Sequence, residues 1–588
     1  MWQNTHSQLF YPEYKEEKYL PPYDPNVVVV SPDVEKWVNE QLVNKDSYKK
    51  VVKMKTDVLG RVKSRAYSYK DGQEKVVENK QKRLVMVSDM HIREHEIESE
   101  HGRYEYNMET KKYDYFLNDK KMNEKEYLGY QNKSLEKFKQ QKKGKRDLPV
   151  PGVINSDDRT WVAWMTAEEI SKLTKNYKEL AIDDYVEPKE AAHYSSILSS
   201  LQLPSSGGNG IGVYVSELNC VDPSVGIVNT SKYTVNNSCN NGVSYHHNGV
   251  VNIVQRASPL AHVFGFSGGN NHPSNPSSYS PPLEIGSHSY YYYASIDTFR
   301  FLYSTYDRNM DNYIYENEVI NFVAAGNESS THYVTSPGKA FNAITVGAID
   351  PITNKYKDYS SWKNPTLASR LPITNVVFRG MGSDKPEIAM YTDIDHGYGT
   401  LGGTSAATPL AAGFTATLLD QHPFFKRHPA LVKAVLLTGE TIPIPYASSW
   451  DTDNSNKGLN ASVVARGIVN YSSISLTRSA WWTGGNSAHF INKEIRFTEK
   501  NIQANKRYRI AIAWLVEGSF IYAVGDLPQD IDLYVEQDGQ RIATSISARN
   551  SFEVVDFVTN SNSPLTIIIY RSSNITGDVL LGYHMREF

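Results

Sequence analysis

The chain has 588 residues, of which 40% are hydrophobic and 22% are charged, and its formal net charge is −3. These proportions are ordinary for a globular protein with sizeable cores, and they exclude wholesale disorder. The near-neutral charge provides no basic field that would attract a nucleic acid, and no apolar run approaches the ~18 residues that a membrane-spanning helix needs. We therefore expect no nucleic-acid partner and no membrane-spanning segment.

The first 150 residues differ in composition from the rest of the chain. They hold 55 charged residues, whereas the other 438 residues hold 72. Such a shift predicts a domain boundary, which we place at residue 147, so that residues 1–147 form a charged N-terminal arm of unknown role. A solvated arm and a partner-docking arm both fit this composition. No signal peptide is visible in residues 1–20.

A small α+β unit is predicted for residues 148–190. Thr160–Met165 is typical of a strand, and Thr166 followed by Glu169 fits a capping box at the start of an amphipathic helix. A further short strand begins at Leu180 and is ended by a proline.

Apolar runs alternate with helical patterns in the next part of the chain, residues 191–474. The predicted strands are Ile211–Val215, Ala261–Phe266, Val319–Ala325 and Ala343–Ala348. The predicted helices are Ser295–Tyr306, Thr408–Asp420 and Pro429–Thr438. Such alternation is typical of parallel βαβ units and predicts an α/β domain.

The last part of the chain, residues 475–588, has the period-2 pattern of antiparallel strands. The runs are Tyr508–Trp514, Asp530–Glu536, Phe552–Val558 and Leu565–Tyr570. Asp538-Gly539 follows the second run and is typical of a tight hairpin turn. These residues therefore predict a β-sandwich, jelly-roll-like in its arrangement.

The segment Leu401–Gly413 carries the clearest chemical signal. It places Ser405 among small residues where a helix begins, so the N-terminal partial charge of the helix could stabilise an anion forming beside the hydroxyl. Taken alone, the segment also fits a glycine-rich turn before a buried helix. However, Gly403-Thr-Ser-Ala-Ala-Thr-Pro with Ala412-Gly413 resembles the nucleophile signature of subtilisin-like serine proteases. The resemblance implies an endopeptidase with Ser405 as the nucleophile.

A second block, Asn321–Asn327, resembles the strand of the same family that ends in Ala-Ala-Gly-Asn. In that family the asparagine amide is the side-chain donor of the oxyanion hole. The resemblance therefore implies this role for Asn327.

The histidine block, Tyr245–Val254, departs from the pattern His-Gly-Thr-His of the family. We favour His246 as the general base because apolar residues follow it at +4, +7 and +8, on one face of a helix. The alternative, His247, has Ile253 at +6, where the family needs a small residue.

The acid of the triad departs most from the family. The strand Ile211–Glu217 aligns with the family strand that ordinarily ends in the triad aspartate, and here Glu217 stands at that place. A glutamate can accept the histidine Nδ1–H bond and stabilise the imidazolium, so we assign Glu217 to this role. Asp222 is the alternative acid.

A substrate strand is expected to pair along the segment that corresponds to the substrate-binding strand of the family. This segment contains Gly286, Ser287, His288 and Ser289.

Neither a cofactor nor a metal site is expected. Asp307–Asn312 has EF-hand spacing, but Asn312 stands where the calcium loop requires glycine. The two cysteines, Cys220 and Cys239, suit either a disulfide or two buried thiols.

The resemblance covers roughly residues 190–470 and implies a subtilisin-like catalytic domain in residues 191–474. Residues 148–190 are similar to the prodomain of these proteases, and residues 475–588 to the β-sandwich that many of them carry. The predicted function is a serine endopeptidase acting on a protein substrate. The alternative is a catalytically weak binding or scaffold protein on the subtilase fold, because the acid is altered.

The layout also resembles the mycoplasma immunoglobulin protease, since a charged arm precedes the protease in a chain with 40 tyrosines. This resemblance implies an immunoglobulin substrate and a protein partner bound through the N-terminal arm or the C-terminal sandwich. It also implies a secreted or cell-surface location.

Overall fold

A computed structural model describes most of the chain from residue 148 onward and shorter stretches before it. The described residues are 29–30, 34, 36–40, 68–70, 73–75, 82–89, 100–107, 112–117, 120–123, 126, 148–156, 160–177, 180–184, 189–190, 206–236, 239, 242–269, 272–292, 302–328, 333–353, 355–361, 366–369, 377–395, 399–439, 478–484, 489–572 and 579–588. Among these residues no helix is both long and apolar enough to cross a membrane.

A parallel sheet of seven strands, counted over the described residues, forms the centre of the molecule. Its strands, in spatial order, are Tyr233–Val235, His262–Ser267, Gly212–Glu217, Leu283–His288, Ile320–Ala324, Ile344–Ile349 and Ile388–Tyr391. The three middle strands are buried at every position, so both faces of the sheet are covered there. Burial on both faces explains the apolar runs that predicted two of these strands, Ile211–Val215 and Val319–Ala325. The predicted α/β class is confirmed.

Four longer helices accompany this sheet within the described residues. They are Tyr245–Ala257, Thr305–Asn317, Thr404–Gln421 and Pro429–Leu437. We call the first the histidine helix and the third the nucleophile helix. The nucleophile helix is buried from Thr404 to Leu419, which places it in the core.

One helix lies further along the chain than the sequence predicted. The prediction was Ser295–Tyr306, but the described helix begins at Thr305, and residues 293–301 lie outside the described residues. The start is fixed by Ser304 and Asp307, which form a capping box. The residues with EF-hand spacing therefore lie on a helix and not in a loop.

A smaller sheet precedes the parallel sheet and takes strands from both sides of the predicted boundary at residue 147. In spatial order its strands are Val29–Val30, Leu180–Asp184, Lys82–Asp89, Thr160–Thr166 and Val153–Ser156, and the helix Ala167–Asn176 follows Thr166 with the predicted capping box. Lys82–Asp89 lies between two strands of the 148–190 unit and pairs with both. Residues on both sides of position 147 thus share one sheet and one core, and the domain boundary there stays a prediction.

The C-terminal region forms two antiparallel sheets around a shared core. One contains Phe552–Val558, Arg507–Trp514, Val579–Glu587, Arg478–Gly484, Glu100–Asn107, Lys112–Leu117 and Lys120–Met122; the other contains Glu494–Glu499, Leu565–Arg571, Ile531–Gln537 and Gln540–Ser545. Asp538 and Gly539 form the predicted hairpin turn, both with positive φ. The strand Glu100–Asn107 pairs with Arg478–Gly484, so the N-terminal region also completes this sandwich.

Four short two-stranded ladders complete the strands of the described residues. They pair Ser68–Lys70 with Gln73–Lys75, Lys189–Glu190 with Tyr290–Tyr291, Thr366–Ser369 with Val377–Met381, and Ile394–Asp395 with Thr400–Leu401.

The sandwich is fastened to the α/β domain by buried hydrogen bonds. The Asn342 amide donates to the Val516 carbonyl at 2.8 Å and accepts from the Val516 N–H at 2.8 Å. The short helix Gly518–Val524 of the sandwich continues the contact, because Asn312 donates to the Ser519 hydroxyl at 2.9 Å. These bonds lie between residues far apart in sequence, so they join the two domains.

Asn342→Ala should lower the free energy of unfolding by about 2–4 kcal/mol, because it leaves both backbone groups of Val516 buried without a partner. Urea denaturation followed by circular dichroism measures this change. The matched control is Asn560→Ala at an exposed position, for which we expect no measurable change. Equal midpoints for the two variants would contradict the importance of this contact.

Candidate active site

Polar residues from three neighbouring strands meet at one edge of the parallel sheet. Glu217 is the last residue of its strand, Ser289 directly follows Leu283–His288, and Asn327 lies three residues beyond Ile320–Ala324. The strands are parallel, so their carboxyl ends lie at the same edge. This edge is where open α/β sheets bind their ligands.

The two helices bring His246 and Ser405 to the same place. Each residue is the second of its helix. The helices touch where an ideal Cβ on Gly413 would lie 2.9 Å from the Val254 carbonyl oxygen. Gly413 is eight residues after Ser405, and Val254 is eight residues after His246. Because His246 lies beside Glu217 and Ser405 contacts Ser289, both helices begin at the carboxyl ends of the strands.

His246 lies beside Glu217 in the interior of the protein. Its Nδ1 is 3.2 Å from Glu217 Oε2, and both side chains are at most 1% exposed. This distance allows an ion pair, although the two groups are not aligned as a hydrogen bond. Neither oxygen of Glu217 has a hydrogen-bond partner among the described residues. The buried carboxylate therefore depends on the imidazole for its compensation.

His247 points elsewhere. Its Nδ1 lies 2.5 Å from the Asn219 carbonyl oxygen, so this nitrogen is a donor to the backbone. Of the two adjacent histidines, the structure brings His246 to the carboxylate at the strand end.

Asp222, the alternative acid, is engaged in a local turn. Its Oδ1 accepts from the Ser224 N–H at 2.9 Å and from the Ser224 hydroxyl at 2.6 Å. These hydrogen bonds hold the pKa of Asp222 below its ordinary value. Asp222 thus caps the turn Pro223–Val225.

Ser405 is held by reciprocal contacts with Ser289. The Ser405 hydroxyl is 3.4 Å from the Ser289 carbonyl oxygen, and the Ser289 hydroxyl donates to the Ser405 carbonyl at 3.0 Å. That carbonyl is available because Pro409, four residues later, has no N–H to donate to it. The proline in the signature thus frees the backbone oxygen of Ser405 for a contact outside the helix.

Asn327 is oriented by the residue before Ser405. Its Oδ1 accepts from the Thr404 N–H at 2.8 Å and from the Thr404 hydroxyl at 3.1 Å. Its Nδ2 is buried and has no hydrogen-bond partner among the described residues. An ideal Cβ on Gly403 would lie 2.7 Å from this nitrogen, so the amide group faces the turn that leads to Ser405.

The predicted substrate segment is placed differently from our expectation. Gly286, Ser287 and His288 belong to a central strand whose backbone pairs with neighbours on both sides, so no strand edge is open there. The His288 ring is buried, with Nε2 2.9 Å from Asn321 Oδ1, and burial lowers its pKa to about 4. Ser289, the fourth residue of the predicted segment, forms hydrogen bonds with Ser405.

A strand edge does occur two residues further along. Tyr290–Tyr291 pairs in antiparallel fashion with Lys189–Glu190, at the end of the 148–190 unit.

Cys220 and Cys239 form a disulfide, one of the two alternatives left open by the sequence. The bond closes the loop after the strand that ends in Glu217. No group of three or more His, Cys, Asp or Glu residues suited to a metal ion occurs among the described residues.

The sequence of the α/β domain is similar to that of a known protein family. Residues 207–464 match the model of the subtilase family. The matched residues include all four residues of the expected catalytic set.

Curated relatives are similar over parts of their length. The serine protease AprX of Bacillus subtilis (strain 168) is 32% identical over 131 residues, which is 20% of this chain and 29% of that protein. A cuticle-degrading serine protease of Arthrobotrys oligospora is 37% identical over 94 residues, which is 16% of this chain and 20% of that protein. The chain thus spans less than a third of the length of either relative.

Solved structures are similar at low identity. Fervidolysin from Fervidobacterium pennivorans, a keratinolytic enzyme related to subtilisin, is 12% identical with a TM-score of 0.35, covering 84% of this chain and 93% of its own. The S41 psychrophilic protease is 18% identical with a TM-score of 0.31, covering 45% of this chain and 92% of its own.

Peptide mapping without reductant should recover Cys220 and Cys239 in one linked pair. The two are the only cysteines of the chain, and their Cα atoms lie 5.5 Å apart. The same map after reduction is the control and should give two separate peptides. Two free thiols in the unreduced sample would contradict the disulfide.

Proposed function

We propose that this protein is a serine endopeptidase in which Ser405 is the nucleophile and His246 the general base. Glu217 orients His246, and Asn327 with the Ser405 backbone N–H binds the oxyanion. The proposal is supported by the subtilase match over residues 207–464 and by the meeting of these groups at one sheet edge.

The orientation of Asn327 is the observation that carries the proposal. Thr404 holds the amide oxygen, which leaves Nδ2 buried without a hydrogen-bond acceptor among the described residues. A buried unsatisfied donor costs roughly 1–3 kcal/mol. Such a cost is typical of a functional site, because a donor fixed in advance can stabilise the negative charge that forms on the substrate carbonyl.

The contacts of His246 indicate which of its nitrogens accepts the proton of the serine. Because Nδ1 faces Glu217, Nε2 is the nitrogen that takes the proton from the Ser405 hydroxyl. The serine oxygen forms a bond to the substrate carbonyl carbon, and the C–N bond breaks as His246 returns the proton to the leaving amine. Water then releases the acyl group by the same steps, while the Glu217 carboxylate stabilises the imidazolium.

The substrate is a protein chain that pairs with Tyr290–Tyr291 in the place of Lys189–Glu190. Access therefore requires that Lys189–Glu190 leave this edge, which fits the prodomain-like role predicted for residues 148–190. An immunoglobulin substrate, a protein partner and secretion rest on the sequence layout alone and stay predictions.

Reaction with a fluorophosphonate separates an active protease from a scaffold on the same fold. We expect a single adduct on Ser405 by peptide mass spectrometry and hydrolysis of casein by the unmodified protein. Ser405→Ala should lose both, whereas Ser231→Ala at an exposed position should lose neither. A wild-type chain without adduct and without hydrolysis would favour the scaffold alternative.

Glu217→Gln should lower kcat by up to about 10⁴-fold, because an amide stabilises the wrong imidazole tautomer. Asp222→Asn, the matched change at the alternative acid, should leave kcat nearly unchanged since that carboxylate caps a local turn. Steady-state kinetics on a peptide substrate measures both. If the two effects were exchanged, Asp222 would be the acid.

A further inference from the structure

A segment that is not part of the expected catalytic set contacts the two turns that carry Asn327 and Ser405. We call residues 355–361 the bridging segment, Gly326–Glu328 the oxyanion turn and Gly403–Ser405 the nucleophile turn. At the oxyanion turn, the Ser361 N–H donates to the Gly326 carbonyl at 3.0 Å, and the Glu328 N–H donates to the Ser361 hydroxyl at 3.3 Å. One end of the bridging segment is therefore fixed to both flanks of Asn327.

The other contact of the bridging segment is with Gly403. The Gly403 N–H donates to the Tyr359 hydroxyl at 3.1 Å, and the Thr392 hydroxyl donates to the Gly403 carbonyl at 2.7 Å. The side chains of Tyr359 and Thr392 also interact with each other. The three groups form a closed ring that holds both backbone groups of Gly403.

Gly403 needs such a ring because of its own conformation. It has a φ of 77°, precedes the first residue of the nucleophile helix, and provides no side-chain cap. Only glycine adopts this φ without strain, and glycine also leaves the backbone free to rotate. The position of Ser405, two residues later, therefore depends on what holds the N–H and the carbonyl of Gly403.

An ion pair keeps the two hydroxyls of the ring together. Lys357 Nζ lies 2.8 Å from Asp393, the residue after Thr392, and 2.6 Å from Asp350. It thus joins the bridging segment to the segment that carries Thr392. Burial raises the pKa of Tyr359, so its hydroxyl keeps its proton through the neutral range.

From these contacts we infer that Tyr359 is a positioning residue of the protease, which fixes the nucleophile turn relative to the oxyanion turn. It touches no reacting atom and acts through Gly403. The inference rests on the proposed function. In that reaction the serine oxygen and the Asn327 donor must meet one carbonyl group, so a small relative shift of the two turns lowers the rate of acylation.

The test is Tyr359→Phe in the full chain. Removing one hydroxyl from the ring should lower kcat by about tenfold, since each 1.36 kcal/mol of barrier is a factor of ten and a hydrogen bond contributes about that amount. KM should change less than about twofold, because the substrate edge at Tyr290–Tyr291 is not altered. Tyr508→Phe in the sandwich, which removes a hydroxyl bonded to Glu587, is the matched control and should keep the wild-type kcat.

A second pair of variants tests the Thr392 side of the ring. Thr392→Val deletes the hydroxyl that holds the Gly403 carbonyl, whereas Thr392→Ser retains it. We expect Thr392→Val to lower kcat about as much as Tyr359→Phe does. Thr392→Ser should keep most of the wild-type kcat. The double variant of Tyr359→Phe with Thr392→Val should lose much less than the product of the single losses, because either change alone opens the ring.

These outcomes separate the inference from the proposed function. Labelling of wild-type Ser405 by fluorophosphonate tests the proposed function, and the ratio of labelling rates between Tyr359→Phe and Tyr508→Phe tests the inference. A ratio of one, a purely KM effect, or equal activities of Thr392→Ser and Thr392→Val would overturn the positioning role. If Tyr359→Phe does not fold by circular dichroism, the Thr392 pair decides the question.

Discussion

The position of the nucleophile helix depends on a close approach that glycine permits. At Gly413 an ideal Cβ would lie 2.6 Å from the Ala257 Cβ, a distance that real side chains do not reach. The two helices are rigid over the eight residues that lead back to Ser405 and His246, so this crossing, about 12 Å from either residue, sets where both side chains lie. The parallel sheet places the Glu217 carboxylate and the Asn327 amide at the same edge.

The resulting site holds polar groups that the fold itself does not satisfy. The Glu217 carboxylate is buried beside one imidazole, and the Asn327 amide donor has no acceptor among the described residues. Each such group costs folding free energy that the surrounding apolar core offsets. The backbone nearby has its hydrogen bonds, since both the N–H and the carbonyl of Gly403 have partners. Turns with complete backbone hydrogen bonding thus hold side chains that lack partners.

The sequence predicted those parts of the fold and site that short-range patterns determine. Apolar runs located four of the seven parallel strands of the described residues. The spacing of apolar residues favoured His246 over His247, and the structure places the His247 ring against the Asn219 carbonyl. Long-range pairing was not predictable. Nothing local to Gly286–His288 shows that neighbours occupy both of its edges, and nothing local to Lys82–Asp89 shows that it lies between two later strands. The composition of residues 1–147 predicted a separate arm. The described strands of this region instead pair with strands of the smaller sheet and of the sandwich.

The strand Glu100–Asn107 has a consequence for any processing of the chain. It lies inside a sheet of the sandwich, between Arg478–Gly484 and Lys112–Leu117. A single cut after residue 190 would break the covalent link to the protease and leave this strand hydrogen-bonded in place. The N-terminal fragment would then stay attached as a noncovalent subunit, and removing it would expose an unpaired edge on Arg478–Gly484, which is a template for aggregation. Release of the smaller sheet that leaves the sandwich closed therefore requires two further cuts, one between residues 89 and 100 and one between residues 122 and 153.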